Sequence, residues 1–136
     1  MTGSNEEEAS RWLRQAEHDL RAAEVTTGAG SYDWACFQSQ QSAEKALKAL
    51  LYRQGYRKIL THSVFELILE AERAGFGVGR FGREAKQLDS VYISARYPNG
   101  IAGSMTPSEY YGKEDADECL KSAGSILREV RRFIPK

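Results

Sequence analysis

Apolar side chains recur along this chain every three or four residues, the spacing that gathers them on one face of an α-helix. The pattern predicts five helices, from about Asn5 to Thr27, Tyr32 to Gln54, His62 to Ala74, Arg83 to Ala95 and Lys113 to Phe133. No stretch alternates apolar and polar residues with a period of two, so no strand is predicted. The predicted fold class is all-α: an antiparallel up-and-down helical bundle of four main helices plus a shorter one.

The second predicted helix is the one around which the others are organised. One side carries an apolar stripe made of Cys36, Ala43, Ala46, Leu47 and Leu50. The opposite side carries polar side chains, namely Gln38, Gln41, Lys45, Lys48 and Tyr52. We therefore predict that this helix buries the first stripe and shows amides, ammonium groups and a phenol to solvent.

Two tracts are predicted to connect helices. The glycine-rich tract from Gly75 to Gly82 is preceded by no strand and lacks the Gly-Lys-Ser/Thr of a phosphate loop. We interpret it as a flexible connection with two apolar anchors. The loop from Asn99 to Gly112 is long for a structureless connection, and long loops are often functional.

Composition indicates one globular domain. The chain has 136 residues, of which 41% are hydrophobic and 28% charged. We expect a single domain over 1–136, with residues 1–8 forming a loose acidic N-terminus. No apolar run is long enough to span a membrane, and the N-terminus lacks the apolar segment of a signal peptide. The expected location is the cytoplasm, where Cys36 and Cys119 would be buried thiols, with a bridge between them as the alternative.

Net charge narrows the classes of partner. The 19 basic and 19 acidic residues cancel, which argues against coating duplex nucleic acid by bulk electrostatics. This balance does not exclude a local basic pocket that binds one nucleotide or a short single strand. The sequence shows no spacing of zinc ligands and no set of catalytic residues that it can place together, so neither a metal nor a cofactor is expected.

His62 is the first candidate for chemistry, because histidine exchanges protons near neutral pH. Arg57 lies just upstream, and an arginine and a histidine at one phosphodiester are the minimum for metal-independent RNA cleavage. The alternative is that His62 only caps or packs at the start of the third helix. Ser63 and Glu66 have the spacing of a capping box there.

Two further groups are candidates for binding. Lys45 and Lys48 share a face with Gln41, which suits a phosphate and a base, although Glu44 could simply pair with Lys48. Arg96 and Tyr97 precede Pro98, where Arg96 could reach a bound phosphate or simply stack on Tyr92. Trp12 and Trp34 are expected to pack, and His18 lies on the wet face of the first helix.

Several motifs together resemble the HEPN domain, named for higher eukaryotes and prokaryotes nucleotide-binding. They are WLRQAEHDL at 12–20, YDWACFQSQQSAEKALKALL at 32–51, THS at 61–63, YISARYP at 92–98 and an amphipathic last helix. The resemblance covers Ala9 to Ile134. The sequence is similar to stand-alone prokaryotic HEPN proteins and to the C-terminal HEPN domain of sacsin.

The resemblance implies a helical bundle that commonly forms homodimers, binds nucleotides or RNA and works beside a minimal nucleotidyltransferase. Some HEPN proteins are ribonuclease toxins with an Arg-x4–6-His motif near the last helices. Here Arg96 has no histidine in that range, and Arg57 with His62 has the spacing but lies between the second and third helices. The nucleotide-binding residues carried over are Gln41, Lys45, Lys48, His62, Arg96 and Tyr97.

We therefore expect a HEPN-type module that binds a nucleotide or single-stranded RNA and partners a minimal nucleotidyltransferase, without being an enzyme on its own. One alternative is a metal-independent endoribonuclease toxin of a toxin–antitoxin pair, with Arg57 and His62 as its catalytic residues. Another is a purely structural dimerisation module.

Overall fold

A computed structural model describes residues 2–135, and all regular secondary structure within them is helical. The helices are α1 (Thr2–Gly28), α2 (Tyr32–Arg53), α3 (Val64–Arg73), α4 (Gly82–Asp89), α5 (Pro107–Tyr110) and α6 (Lys113–Arg131). Single 3-10 turns lie at Gly79–Phe81 and Pro98–Gly100. The predicted all-α bundle is confirmed, with a shorter fourth helix than expected and one extra short helix.

α2 is the central element of the bundle. It packs along α1 and also contacts α6 and α3. A three-residue connection reverses the chain between α1 and α2, and the Ser42 hydroxyl donates a hydrogen bond to the Ala16 carbonyl oxygen at 2.7 Å near their middle. Because neighbours surround it, α2 buries Leu47, Leu50 and Leu51 almost completely.

The start of α1 differs from the prediction. The helix begins at Thr2 instead of Asn5, so residues 2–8, expected to be loose, form its first two turns; Met1 lies outside the described residues. Contacts with the end of α2 explain the difference. Ala9 is fully buried, and the Arg53 guanidinium lies 3.8 Å from the Glu6 carboxylate.

The fourth helix is shorter than predicted, ending at Asp89 instead of Ala95, and turns follow as far as Arg96. Serine hydroxyls compete for the backbone there. Ser90 donates to the Gln87 carbonyl oxygen at 2.5 Å, and Ser94 donates to the Ser90 carbonyl oxygen at 2.7 Å. Residues 90–97 thus form an irregular segment, which carries Tyr92 and Arg96.

The connections contain more structure than the sequence indicated. Phe76 and Val78 anchor the glycine-rich tract in the core, as predicted. In the same tract the Gly79 amide donates to the Glu72 carboxylate at 2.6 Å. The long loop after Tyr97 contains α5, whose first turn is closed by a capping box between Thr106 and Glu109.

The two cysteines lie in the core of the bundle. Cys36 and Cys119 are both free and buried, as expected. No helix within residues 2–135 is long and apolar enough to cross a membrane.

Candidate functional site

A buried ion pair lies on α2, where the sequence predicted a solvated face. The Lys48 ammonium donates to the Glu44 carboxylate at 2.9 Å, and both side chains are only 5% exposed. Trp12 of α1 covers them, with its ring centroid 5.8 Å from the lysine nitrogen. The prediction that Lys48 faces solvent is therefore wrong, and the alternative that it pairs with Glu44 is confirmed.

The same carboxylate holds His62. Glu44 Oε2 lies 3.1 Å from His62 Nδ1, and the Gln40 amide donates both to Glu44 Oε1 at 3.2 Å and to the His62 carbonyl oxygen at 3.0 Å. Because an ionised carboxylate only accepts hydrogen bonds, Nδ1 carries the hydrogen, and Nε2 of a neutral ring is then the acceptor. The imidazole is 57% exposed, so Nε2 is available to a ligand.

Asp89, at the end of α4, fixes the turn that carries His62. Its carboxylate accepts hydrogen bonds from the Ser63 hydroxyl at 2.7 Å, the Val64 amide at 2.6 Å and the Phe65 amide at 3.2 Å. Ser63, and not His62, caps α3, and its hydroxyl accepts from the Glu66 amide as the capping-box spacing predicted. His62 is thus held from two sides, by α2 and by α4.

An aromatic platform adjoins His62; we use this name for Phe37, Tyr92, Arg96 and Tyr97. The His62 ring stacks on Tyr92 with centroids 5.5 Å apart and an angle of 17° between the planes. The Arg96 guanidinium carbon lies 4.2 Å from the Phe37 centroid and 4.6 Å from that of Tyr92. Tyr97 is 51% exposed, with its ring centroid 5.3 Å from Arg96. The platform therefore presents one exposed ring, that of Tyr97, beside the partly exposed guanidinium of Arg96.

The arginine that shares a contact with His62 is not the one that the sequence spacing suggested. Arg57 is exposed, and its guanidinium donates to the Asn5 side chain of α1 at 3.4 Å. Arg96 and His62, in contrast, both pack on the ring of Tyr92. Two residues 34 positions apart in sequence are thus neighbours of one aromatic ring.

The remaining binding candidates, Gln41 and Lys45, lie on the partly exposed rim of α2, which we call the α2 surface. The half-buried Gln41 amide donates to the Gln40 side chain at 2.8 Å. The Lys45 ammonium donates to Asp19 of α1 at 2.6 Å and stays partly exposed. Trp12 packs on Tyr52 as expected, but Trp34 is 51% exposed and does not fit the packing role predicted for it.

Sequence reasoning missed several residues that shape this site. Gln40 and Glu44 were detectable in part, because their spacing of four places them on one face of α2. Asp89 carries no local signal, because its hydrogen-bond partners are distant in sequence. Phe37 carries none either, because nothing in the sequence distinguishes it from other aromatic residues. Among the described residues, no group of three or more His, Cys, Asp or Glu side chains is placed to hold a metal ion.

One curated relative is similar over nearly its whole length. The chain is 31% identical over 140 residues to the protein named Putative toxin MJ1304 from Methanocaldococcus jannaschii. The match covers 98% of this chain and 92% of that protein.

Solved structures of high similarity share the bundle. TT1696 from Thermus thermophilus is 37% identical with a TM-score of 0.85, covering 91% of this chain and 96% of that one. ST0689, described as an archaeal HEPN homologue, is 38% identical with a TM-score of 0.77, covering 93% and 98%. The HEPN domain family matches residues 9–133. This chain therefore belongs to the HEPN domain family.

Proposed function

We propose that this HEPN domain binds a nucleotide or the bases of single-stranded RNA on the aromatic platform and the adjoining α2 surface. The observation that carries the proposal is the stack of His62, Tyr92 and Arg96 on a partly exposed surface. Aromatic faces accept any base by stacking, and an arginine beside them adds cation–π and phosphate contacts.

Each residue has a separate role in this proposal. Tyr97 stacks with a base, Arg96 contacts a phosphate, and His62 accepts a hydrogen bond at Nε2. The Tyr92 ring supports His62 and Arg96. Gln41 and Lys45 contact the ligand from the rim. Lys48 has another role, because its buried ammonium neutralises Glu44 and so keeps the His62 ring in place.

We further propose that the domain acts as a homodimer and partners a minimal nucleotidyltransferase. Trp34 and Ile93 are both large and about half exposed. Trp34 contacts Phe37 of the platform, and Ile93 follows Tyr92 in the chain. We therefore propose these two residues as the seam, the interface between two copies. The similarity to a protein named as a toxin supports a second protein partner.

Calorimetric titration of the purified chain tests the binding proposal. ATP, GTP, UTP and an oligouridylate of about 12 nucleotides, a length within the usual site sizes for single strands, are the probes. The variants are Arg96→Ala and Lys45→Ala. Arg128→Ala is the matched control, because Arg128 is an exposed cation on α6. We expect weaker binding in the two site variants and unchanged binding in the control. No heat from any probe, with a stable dimer, would support the purely structural module instead.

The endoribonuclease toxin is the second candidate. The relative named as a toxin and the common contact of His62 and Arg96 with Tyr92 favour it. In this reaction His62 Nε2 takes the proton of a ribose 2′-hydroxyl, and the 2′-oxygen forms a bond to phosphorus. The bond to the 5′-oxygen breaks, the leaving oxygen takes up a proton, and an arginine stabilises the charge on the phosphoryl oxygens.

Cleavage of end-labelled RNA in the presence of EDTA tests this candidate and identifies the arginine. If Arg96 is the partner of His62, His62→Ala and Arg96→Ala abolish cleavage while Arg57→Ala retains it. Loss in Arg57→Ala, with cleavage retained in Arg96→Ala, would favour the pair predicted from the sequence spacing. Intact RNA with the unmodified chain would exclude ribonuclease activity of the chain alone.

A further inference from the structure

A second concave surface lies on α1, away from the platform and His62. It is a cavity of about 620 Å³, whose lining includes Arg11, Arg14, His18, Lys45, Trp12 and Glu8. Apart from Lys45, none of these was singled out as a binding residue by the sequence. Most of the polar side chains that line the cavity are basic.

The negative charge in this cavity is already engaged. The Glu8 carboxylate accepts from the Arg11 guanidinium at 2.8 Å and from the Trp12 indole at 3.2 Å. Arg14 hydrogen-bonds only to a backbone carbonyl oxygen, that of Ser10, at 3.4 Å. Within residues 2–135, neither Arg14 nor His18 pairs with a carboxylate. The surface therefore has unneutralised donors for an anion.

The basic side chains form a row instead of converging on one point. Arg11, Arg14 and His18 follow one another on one face of α1 over about 10 Å, at the helical rise of about 1.5 Å per residue. Compact phosphate sites gather backbone amides at a helix N-terminus, whereas these donors are side chains along the flank of a long helix. Such a row matches successive phosphates better than it matches one triphosphate tail.

The row is continuous with the surface of α2. Lys45 lines the cavity and lies one helical turn from both Gln41 and Lys48. Trp12 contributes to the same cavity, and its ring contacts Tyr52 and lies over Lys48. A ligand that contacts Lys45 on α2 is therefore also beside the face of α1 that carries Trp12.

We propose that this cavity is a phosphate track for the backbone of single-stranded RNA, whose bases stack on the aromatic platform. The inference rests on the proposed function and deepens it, because it assigns a strand of several nucleotides as the ligand. Arg14 and His18 contact phosphates directly. Arg11 exchanges its exposed carboxylate partner, Glu8, for a phosphate, which costs little because such ion pairs are weak.

Fluorescence anisotropy tests the track, with 5′-labelled oligouridylates of about 4 and about 12 nucleotides and salt between about 50 and 200 mM. We expect the longer strand to bind more tightly than the shorter one. In Arg14→Ala, the magnitude of the negative slope of log affinity against log salt for the longer strand should fall by about 0.7 for each phosphate that the variant no longer contacts. Arg14→Lys should restore the slope, and Arg128→Ala should match the unmodified chain.

The outcomes separate this inference from the proposed function. If Arg14→Ala binds the longer strand with the slope of Arg128→Ala while Arg96→Ala weakens binding, the track is wrong and the platform stands. If Arg14→Ala weakens the binding of UTP as much as that of the longer strand, the cavity holds a triphosphate, which also overturns the track. If neither UTP nor any oligouridylate binds, the track and the proposed function both fail.

Discussion

At the scale of single residues, Glu44 is the group on which the site depends. Its two carboxylate oxygens accept from Lys48 and Gln40 and hold His62. A buried carboxylate is tolerated because these donors replace the water that it loses. The sequence relates Glu44 to Lys48 and to Gln40, each four positions away, and the contact with His62 depends on how the chain folds.

We expect Glu44→Ala to destabilise the domain by about 3–5 kcal/mol, because Lys48 would be left as a buried charge without a partner. Urea denaturation followed by circular dichroism measures the free energy of unfolding. The control is Asp117→Ala, which breaks the exposed pair of Lys113 and Asp117 on α6 and should cost less than about 1 kcal/mol. Equal losses in the two variants would show that the Glu44–Lys48 pair is not buried in solution.

At the scale of elements, carboxylates hold the starts of two helices. Asp89, the last residue of α4, accepts hydrogen bonds from the free amides at the start of α3. Glu109 closes the capping box of α5. The hydrophobic period of the fourth helix continues past Asp89, which explains the prediction of a longer helix. The helix nevertheless ends at Asp89, because the Ser90 and Ser94 hydroxyls bond to the backbone and Asp89 caps α3.

Replacing Asp89 by alanine should loosen the turn at His62. We expect a loss of about 1–2 kcal/mol, as for other helix caps, because the Val64 and Phe65 amides lose their acceptor. Hydrogen exchange should accelerate at these two amides and leave the middle of α6 unchanged. Unaltered protection at α3 would mean that Asp89 does not position the turn.

The cap of α5 should depend on pH. The hydrogen bond from the Thr106 amide lowers the pKa of Glu109 below its ordinary value of 4.5. Because the folded-state pKa is lowered, the carboxylate stabilises α5 above pH 4.5, and this contribution disappears as the pH falls through the lowered pKa. The chemical shift of the Thr106 amide should titrate with a midpoint below 4.5, and Glu109→Gln should abolish this titration. A midpoint at or above 4.5 would contradict the cap.

At the scale of the whole molecule, large apolar side chains remain uncovered in one copy of the chain. Trp34 and Ile93 are both about half exposed; the Trp34 ring lies 6.2 Å from that of Phe37, and Ile93 follows Tyr92 in the chain. Apolar clusters on a protein surface often mark contacts between proteins. Homodimerisation, which the family resemblance implies, would cover this cluster.

We therefore expect the unmodified chain to have the mass of a dimer and Trp34→Asp to have that of a monomer in light scattering coupled to size exclusion. A buried charge at the seam opposes association. Val25→Asp is the control, because Val25 is exposed near the end of α1 and outside the cluster. A dimer that persists in Trp34→Asp would place the seam elsewhere.

Much of the fold could be predicted from hydrophobic periodicity alone. The bounds of α2 and α6 agree with the prediction within about two residues, because long helices that bury a stripe have a strong local signal. The fourth helix ends six residues before its predicted end, because the Ser90 and Ser94 hydroxyls bond to the backbone there. Periodicity also misplaced Lys48, since a helix at the centre of a bundle is covered on its polar side as well.

The sequence by itself determined the helical class, the order of the main helices, the family and most of the residues now proposed to bind a ligand. Each of these depends on spacing or composition, which a linear chain displays directly. Only the tertiary structure decided that Glu44 holds His62, that Arg96 shares a ring with His62, and that Arg14 and His18 lie beside Lys45 in one cavity. These arrangements bring together side chains separated by between 18 and 34 positions, and packing between helices, not local propensity, places such residues side by side.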